Sequence, residues 1–287
     1  MAFVTSESVS SLAVPMLSSE LSLTQTVLQV PSADLAPASG GETIIRVPGV
    51  RQGRIQTRGG NLTADPITET PVTFDVDHVY DLADLNPYEL TLDIVNFTAQ
   101  VTRRQVRGVA NGAETQLANV MNGLAADDTV AADGSDVDRK IALAGATLDE
   151  TEVPFENRYL AVSPQMAVIL TAPENTNLTH YDGPVATEAL RQGIVGMYRG
   201  FIVVKSARLT GVKAVAYHES AFAFASQRPA ALPGAMDNAV VTEEGIQIRH
   251  AFFMDPSTAN TRSLLSTFSG AALVDADRVV VLDATES

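Results

Sequence analysis

A long amphipathic helix is the strongest structural signal in this sequence, because apolar residues recur at helical spacing from residue 92 to residue 124. Residues three or four apart share one face of an α-helix. The predicted apolar stripe is formed by Leu92, Val95, Ala99, Thr102, Val106, Val109, Ala113, Leu117, Val120 and Leu124. The polar side chains expected largely off this stripe are Arg103, Arg104, Arg107, Asn111 and Glu114.

The start and the interior of this helix carry further signals. Asn86, Pro87 and Glu89 form a helix start, with Asn86 as the cap and Glu89 reaching back to it. A helix from residue 86 to residue 124 would be about 57 Å long, so we expect a break near residues 91–96 and a long helix afterwards. Gly108 and Gly112 each cost about 1 kcal/mol relative to alanine. They indicate a bend or the close approach of another element.

The segment before this helix divides into a polar stretch and a strand-rich stretch. Residues 1–40 are expected to form mostly an arm that orders against a neighbour, with a possible short helix over residues 18–30. ETIIRV (42–47) and RIQT (54–57) flank Pro48, Gly49 and Gly53, which predicts a hairpin. VTFDVDHVY (72–80) alternates and predicts a half-buried strand. Its inward side chains are expected to be Val72, Phe74, Val76, His78 and Tyr80.

Short helices and strands alternate after an acidic loop at residues 125–138. Helices are predicted at VDRKIALAGATL (137–148), at SPQMAVIL (163–170, capped by Ser163), at VATEALRQGIVGMY (185–198) and at ESAFAFAS (219–226). Strands are predicted at NRYLAVS (157–163), GFIVVKSA (200–207), KAVAYH (213–218), GIQIRHAFFM (245–254) and ALVDADRVVVL (272–282). The pattern favours an α+β fold in one chain without internal repeats.

The charge and the cysteine content exclude several classes of function. The 287 residues carry a formal net charge of −15 and no cysteine, so disulfides, thiolate nucleophiles and cysteine-ligated zinc are excluded. Tight binding of nucleic acid by neutralising its phosphates would require a basic face. No apolar run approaches the ~20 residues that a bilayer requires, and the N-terminal stretch lacks a basic signal region. We therefore expect synthesis in the cytoplasm and no membrane partner.

Motifs for catalysis or cofactor binding are absent from the sequence. There is no GxSxG turn, and His218 and Glu219 are followed by Phe222 where a zinc helix needs a second histidine. Asp133, Asp136 and Asp138 are the best metal candidates, but a solvated acidic loop is the favoured interpretation. The sequence predicts no catalytic residue, no cofactor and no metal site.

Three strings, in order, resemble passages of the major capsid proteins of tailed bacteriophages. They are LDETEVPFENRYLAVSPQMAVIL (148–170), GIVGMYRGFIVVKSARL (193–209) and TFSGAALVDADRVVVL (267–282), and the resemblance spans residues 42–282. It implies the Hong Kong 97-type phage capsid fold. The implied parts are an N-terminal arm (1–40), an extended loop (41–80), a peripheral domain with the long spine helix (81–124 and 238–287) and an axial domain (125–237).

The resemblance implies a major capsid protein that forms hexamers and pentamers in the icosahedral head of a tailed bacteriophage. Such a protein encloses double-stranded DNA without specific binding and meets a portal, a separate scaffolding protein and decoration proteins. Its expected location is the virion, and the host cytoplasm during assembly. Two alternatives stay open: an encapsulin-like nanocompartment subunit, and a metal-dependent enzyme that uses residues 133–138.

An arginine-rich segment in the implied loop suggests how subunits bind each other. RVPGVRQGRIQTRGG (46–60) holds four glycines and four arginines, which are Arg46, Arg51, Arg54 and Arg58. We expect these arginines to pair with carboxylates of an adjacent subunit; the alternative is a hairpin whose arginines face water. Some members of the family cross-link subunits through a lysine on this loop. The first lysine here is Lys140, so non-covalent contacts are predicted.

Overall fold

The computed structural model describes residues 5–30, 36–37, 42–48, 69–86, 88, 97–131, 134–170, 194–227, 229–243, 246–255, 257–258 and 260–284. Four α-helices lie in these residues: α1 Ser6–Glu20, α2 Arg103–Asn122, α3 Val137–Glu150 and α4 Pro164–Leu170. Their strands are β1 Leu28–Val30, β2 Ala36–Pro37, β3 Glu42–Pro48, β4 Glu69–Asp75, β5 Asp77–Leu85, β6 Asp128–Val130, β7 Arg158–Val162, β8 Ile194–Tyr198, β9 Phe201–Lys205, β10 Lys213–His218, β11 Phe222–Gln227, β12 Asp237–Glu243, β13 Ile246–Met254, β14 Thr261–Leu273 and β15 Val279–Ala284. The predicted α+β class is confirmed.

The strands form three sheets. The first sheet has the order β1-β11-β14-β13-β12, with β5 paired to β14, and the second has the order β6-β15-β10-β7-β9-β8. A small third sheet, β2-β3-β4, contains the strands on either side of residues 49–68. Helices α1 and α2 pack on the first sheet, whereas α3 and α4 pack on the second. One core contains α1, α2, side chains of the first sheet and one face of the second sheet, and another lies between the opposite face of the second sheet and α3 and α4. A smaller cluster surrounds Val30, Ala223 and Ala225.

Helix α2 is the predicted long helix, and a π-helical turn, Thr98–Thr102, precedes it. Its buried side chains include Val106, Val109, Ala113 and Leu117, so the apolar stripe is confirmed there. The predicted cap at residues 86–89 and the break at residues 91–96 fall largely outside the described residues. The burial of this stripe against the first sheet is what fixes the helix in the fold.

The two glycines of α2 allow β5 to lie directly against the helix. A Cβ atom on Gly108 would stand 2.4 Å from Asp81 Oδ2, and one on Gly112 would stand 2.4 Å from Val79 Cγ1. Both separations are shorter than carbon atoms tolerate without displacement. The predicted close approach is confirmed, and its partner is the inner face of β5.

Strand β5 shows one error of the sequence interpretation. Val76 lies between β4 and β5, where the chain passes from the third sheet to the first. Because Val79 faces Gly112 on α2, the side chains of His78 and Tyr80 point to the other face, and Tyr80 is 60% exposed. The prediction that His78 and Tyr80 face inward is therefore wrong, since the alternation does not continue through Val76.

Helix α1 corrects the interpretation of residues 1–40 as mostly an arm without a core of its own. Thr5 caps the helix, and Ala13, Val14 and Leu17 are buried in the same cluster as the stripe of α2. Residues 6–20 therefore order against their own chain. The short helix suggested over residues 18–30 is also wrong, because α1 ends at Glu20 and residues 28–30 form β1.

Two further predicted helices are strands in the structure. Phe222–Gln227 forms β11, because alternating Phe and Ala suit a strand, and β14 and β1 pair with it on its two edges. Ile194–Tyr198, the end of the helix predicted over residues 185–198, forms β8. Arg199 and Gly200 have φ values of 49° and 88° and make the two-residue turn to β9. Helices α3 and α4 and the strands predicted at residues 157–163, 200–207, 213–218 and 245–254 are confirmed. The strand predicted over residues 272–282 is wrong as a single strand, because β14 ends at Leu273 and a 3-10 turn, Ala276–Arg278, separates it from β15.

Sheet membership does not follow the predicted domain boundaries at two strands. β15 lies in the second sheet beside β10, although residues 238–287 were assigned to the peripheral domain. β11 lies in the first sheet beside β14, although residues 125–237 were assigned to the axial domain. The division into arm, loop, peripheral and axial domains stays a prediction.

Glu114 is a correction on α2, because the sequence places it largely off the buried stripe, whereas it is only 1% exposed. Its Oε1 accepts backbone N–H groups of Ser22 at 2.7 Å, Leu23 at 2.8 Å and Thr24 at 3.2 Å. The guanidinium of Arg208 lies 3.8 Å from Oε2. A carboxylate is stable inside a protein when it accepts several hydrogen bonds, and here the donors come from the segment that follows α1.

Replacing Glu114 is expected to destabilise the folded chain strongly. The Glu114→Ala variant leaves three buried N–H groups without their acceptor, so we expect a loss of about 3 kcal/mol of unfolding free energy. Glu114→Gln keeps a carbonyl acceptor and should lose less. Urea unfolding of dissociated chains measures both, with the exposed Glu7→Ala as the control. Equal losses in Glu114→Ala and Glu7→Ala would contradict the proposed role.

Candidate intersubunit surfaces

The third sheet contains the two strands that flank residues 49–68. β3 pairs antiparallel with β4, with Glu42 opposite Asp75 and Pro48 opposite Glu69. The predicted partner of residues 42–47, RIQT (54–57), lies outside the described residues, within which β3 pairs with β4 from Glu69 onwards. Pro48 and Glu69, the residues on either side of the segment 49–68, face each other at one end of this ladder. Arg46 lies on β3 opposite Pro71, whereas the other three predicted contact residues, Arg51, Arg54 and Arg58, fall outside the described residues.

The candidate metal loop is engaged in contacts within its own chain. Asp136 Oδ1 accepts the N–H of Ala131 at 2.8 Å. Asp138 Oδ1 accepts from Arg199 Nε at 2.7 Å and from the hydroxyl of Tyr198 at 2.9 Å, which ties α3 to the β8–β9 turn. Burial and then the bond to Asp138 raise the pKa of Tyr198. Asp133 is outside the described residues, within which no group of three His, Asp or Glu side chains could hold a metal ion.

The histidines lie in different surroundings. His78 stacks on Tyr80 and Phe268 at the exposed side of the first sheet. His250 is fully buried, with Nε2 2.8 Å from Ser263 Oγ and its ring against Phe252. Burial lowers the pKa of His250 to about 4, although the nearby Asp237 acts in the opposite direction. His250 is therefore a neutral core residue at pH 7.

The buried His250 is expected to make the chain sensitive to acid. An unfolded histidine binds its proton near pH 6.5, whereas folded His250 stays neutral down to about pH 4. Stability is therefore fully present above pH 6.5 and falls as the pH drops to about 4, by up to about 3 kcal/mol. Urea unfolding between these pH values should show a smaller loss in His250→Gln than in the unchanged chain. An identical pH dependence in both would contradict this assignment.

Known proteins resemble this chain in structure but not detectably in sequence. No protein-family model and no curated protein sequence matches the chain. The capsid structure of Ralstonia phage GP4 matches with a TM-score of 0.64 at 10% identity, over 93% of this chain and 92% of that one. A structure from Mycobacterium phage Che8 matches with a TM-score of 0.56 at 21% identity, over 85% of each chain. The structure of a virus-like particle from Pyrococcus furiosus matches with a TM-score of 0.56 at 10% identity, over 96% of this chain and 98% of that one.

The chain has the Hong Kong 97-type capsid fold. The match extends over most of both chains, so it concerns the whole arrangement of sheets and helices. The fold that the three strings implied is therefore confirmed. None of the helices in the described residues is long and apolar enough to cross a membrane.

Helix α2 of this capsid fold carries a positively charged surface to which the sequence assigned no role. Arg103, Arg104 and Arg107 are exposed on the first two turns of the helix, on the side away from the buried stripe. We call them the arginine face. Arg107 Nε lies 3.4 Å from a carboxylate oxygen of Glu20, in a pair that is mostly exposed. The string RRQVR (103–107) shows the three positive charges, but it does not show which of these arginines has a carboxylate partner in the folded chain.

The end of α3 carries a negatively charged surface. Glu150, Glu152, Glu156 and Asp277 are exposed there, and we call them the acidic corner. The hydroxyl of Thr151 donates to the carbonyl oxygen of Asp277 at 3.3 Å, which holds the turn before β15 beside the end of α3. In the sequence these residues contributed only to the family resemblance.

Proposed function

We propose that this chain is the major capsid protein of a tailed double-stranded DNA bacteriophage and assembles into an icosahedral head. The observation that carries this proposal is the structural match to the GP4 capsid along more than nine-tenths of both chains. A fold that is shared over its whole length, and not at one site, supports a shared structural role more than a shared reaction. The proposed role is structural and not enzymatic.

The proposed partners follow from this role. The chain binds copies of itself in hexamers and pentamers, and it meets a portal, a separate scaffolding protein and decoration proteins. Its 34 acidic residues against 19 basic ones limit adhesion to the enclosed DNA, because phosphates repel carboxylates. The proposed location is the virion, and the host cytoplasm during assembly.

A nanocompartment shell is the second candidate, because the virus-like particle from Pyrococcus furiosus matches over 96% of this chain and 98% of that one. Electron microscopy of the purified particles, with and without nuclease, separates the two functions. Nuclease-protected DNA inside heads of phage size supports the capsid function. Small shells that hold protein cargo and no DNA support the compartment, and an absence of shells under all assembly conditions contradicts both.

We also propose that Arg46, Arg51, Arg54 and Arg58 pair with carboxylates of an adjacent subunit. The support is the charge of the segment, whose four guanidiniums belong to a chain of net charge −15, and the hairpin stem that presents its two ends. Each exposed ion pair contributes only about 0.2–1 kcal/mol, but many copies act together in a closed shell. Since no lysine precedes Lys140, these contacts are non-covalent.

Reversing two of these charges is expected to impair assembly. In an Arg54→Glu/Arg58→Glu variant, attraction to neighbouring carboxylates becomes repulsion, so the yield of shells should fall by about tenfold or more. Sedimentation and electron microscopy measure the yield, and Arg54→Lys/Arg58→Lys is the matched control that keeps the charge. Unchanged assembly of the Glu variant would show that the arginines face water.

A further inference from the structure

We propose that the arginine face of one subunit binds the acidic corner of another copy of the same chain. This inference rests on the proposed self-assembly and adds the surfaces that carry it. The arginine face consists of Arg103, Arg104 and Arg107. The acidic corner consists of Glu150, Glu152, Glu156 and Asp277.

The arginine face differs from most other arginines of the described residues, because two of its three guanidiniums have no carboxylate partner among these residues of their own chain. Arg103 and Arg104 have no ion pair in the part of the chain that the structure describes, and the side chain of Arg107 is 69% exposed even with Glu20 beside it. By contrast, carboxylates of the same chain hold Arg158, Arg199, Arg208, Arg262 and Arg278. Three guanidiniums on one exposed helix face are therefore available to a partner.

The arginines that follow Glu156 and Asp277 in the sequence, Arg158 and Arg278, do not neutralise the acidic corner. Arg158 Nη1 is 2.7 Å from Asp149, and Arg278 Nε is 2.8 Å from Asp275, so both guanidiniums already have carboxylate partners. Phe155 adds an aromatic surface that is 76% exposed. The Arg158 guanidinium lies 4.7 Å from the centre of this ring, which shows that the ring binds a cation. Arginine pairs with carboxylates and also stacks on aromatic faces, so both kinds of group at this corner favour an arginine partner.

The placement of the two surfaces favours a contact between different copies. The arginine face lies on the helix that covers the first sheet, whereas the acidic corner lies at the end of the helix that covers the second. No ion pair among the described residues joins them. When two different surfaces of one chain bind each other across copies, the contact is head-to-tail, and repetition of it gives a closed ring when the rotation between copies divides a full turn. Hexamers and pentamers are rings of this kind.

The fit of charges also selects this partner over a nucleic acid. Arginine faces of this size bind phosphates as readily as carboxylates. However, the net charge of −15 repels DNA from the protein as a whole. The acidic corner, by contrast, supplies carboxylates at a fixed position in every copy. The number of exposed carboxylates there, four, is enough for the three guanidiniums.

A reciprocal exchange of charges tests this contact in the full-length chain. Arg103→Glu/Arg104→Glu and Glu150→Arg/Glu156→Arg should each raise the protein concentration needed for half-maximal shell assembly by about tenfold or more. Combining all four substitutions restores opposite charges across the contact. We expect the combined variant to assemble within about threefold of the unchanged chain, as coupled partners do in a double-mutant cycle.

Controls separate this contact from misfolding and from the proposed function. Arg139→Glu reverses an exposed arginine on α3 outside both surfaces and should assemble normally. Circular dichroism and thermal unfolding of dissociated chains establish that each variant folds. Failure of the combined variant to recover, or normal assembly of either pair alone, overturns this inference while shells of the unchanged chain still support the capsid function. Normal shells that lose DNA only in Arg103→Glu/Arg104→Glu would assign the arginine face to nucleic acid and also overturn it.

Discussion

The buried carboxylate of Glu114 is the interaction that joins the N-terminal segment to the rest of the molecule. A charged group inside a protein is tolerated only when hydrogen bonds replace its hydration. Here the backbone N–H groups of residues 22–24 provide that replacement, and they can reach the carboxylate only if α1 lies across α2. The apolar side chains of α1, α2 and the first sheet then form one continuous core. The hydrogen bonds of Glu114 thus hold α1 in the position in which its apolar side chains pack against α2 and the first sheet.

This core leaves the charged side chains at the periphery, where they can contact other copies. Helix α2 buries one face against the first sheet and exposes arginines on the opposite face. Helix α3 ends in a turn whose carboxylates lie in solvent, and the β3–β4 ladder holds the two ends of an arginine-bearing segment together. A rigid interior with weak charged contacts outside suits a shell that must assemble reversibly before it closes. Screening by salt then tunes each contact.

Local patterns in the sequence predicted most of the elements of the fold. The period of three to four residues identified α2, and the glycines at positions 108 and 112 identified a close approach. Ser163 and Pro164 identified the start of α4. The order of three strings gave the capsid fold, which no single pattern could have given. By contrast, the helix predicted over residues 219–226 is wrong, because single phenylalanines and alanines suit a helix as well as a strand.

Contacts between distant residues could not be predicted. Glu114 is buried because of donors that lie about ninety positions earlier in the chain, and a glutamate beside an apolar stripe ordinarily indicates solvent. The burial of α1 likewise depends on α2 and on the first sheet. The charges of the arginine face and of the acidic corner are visible in the sequence. Only the neighbours in space show that Arg103, Arg104 and the acidic corner have no ion pair among the described residues, and that Arg107 has only an exposed one.

The proposed capsid function requires that this chain bind copies of itself in a closed shell. Sedimentation velocity of the purified full-length chain, over a range of protein and salt concentrations, tests it most directly. The account predicts a fast, homogeneous boundary from particles of many copies, in equilibrium with smaller rings that dissociate further at high salt. A single species of 30.4 kDa at every concentration and every salt would contradict it.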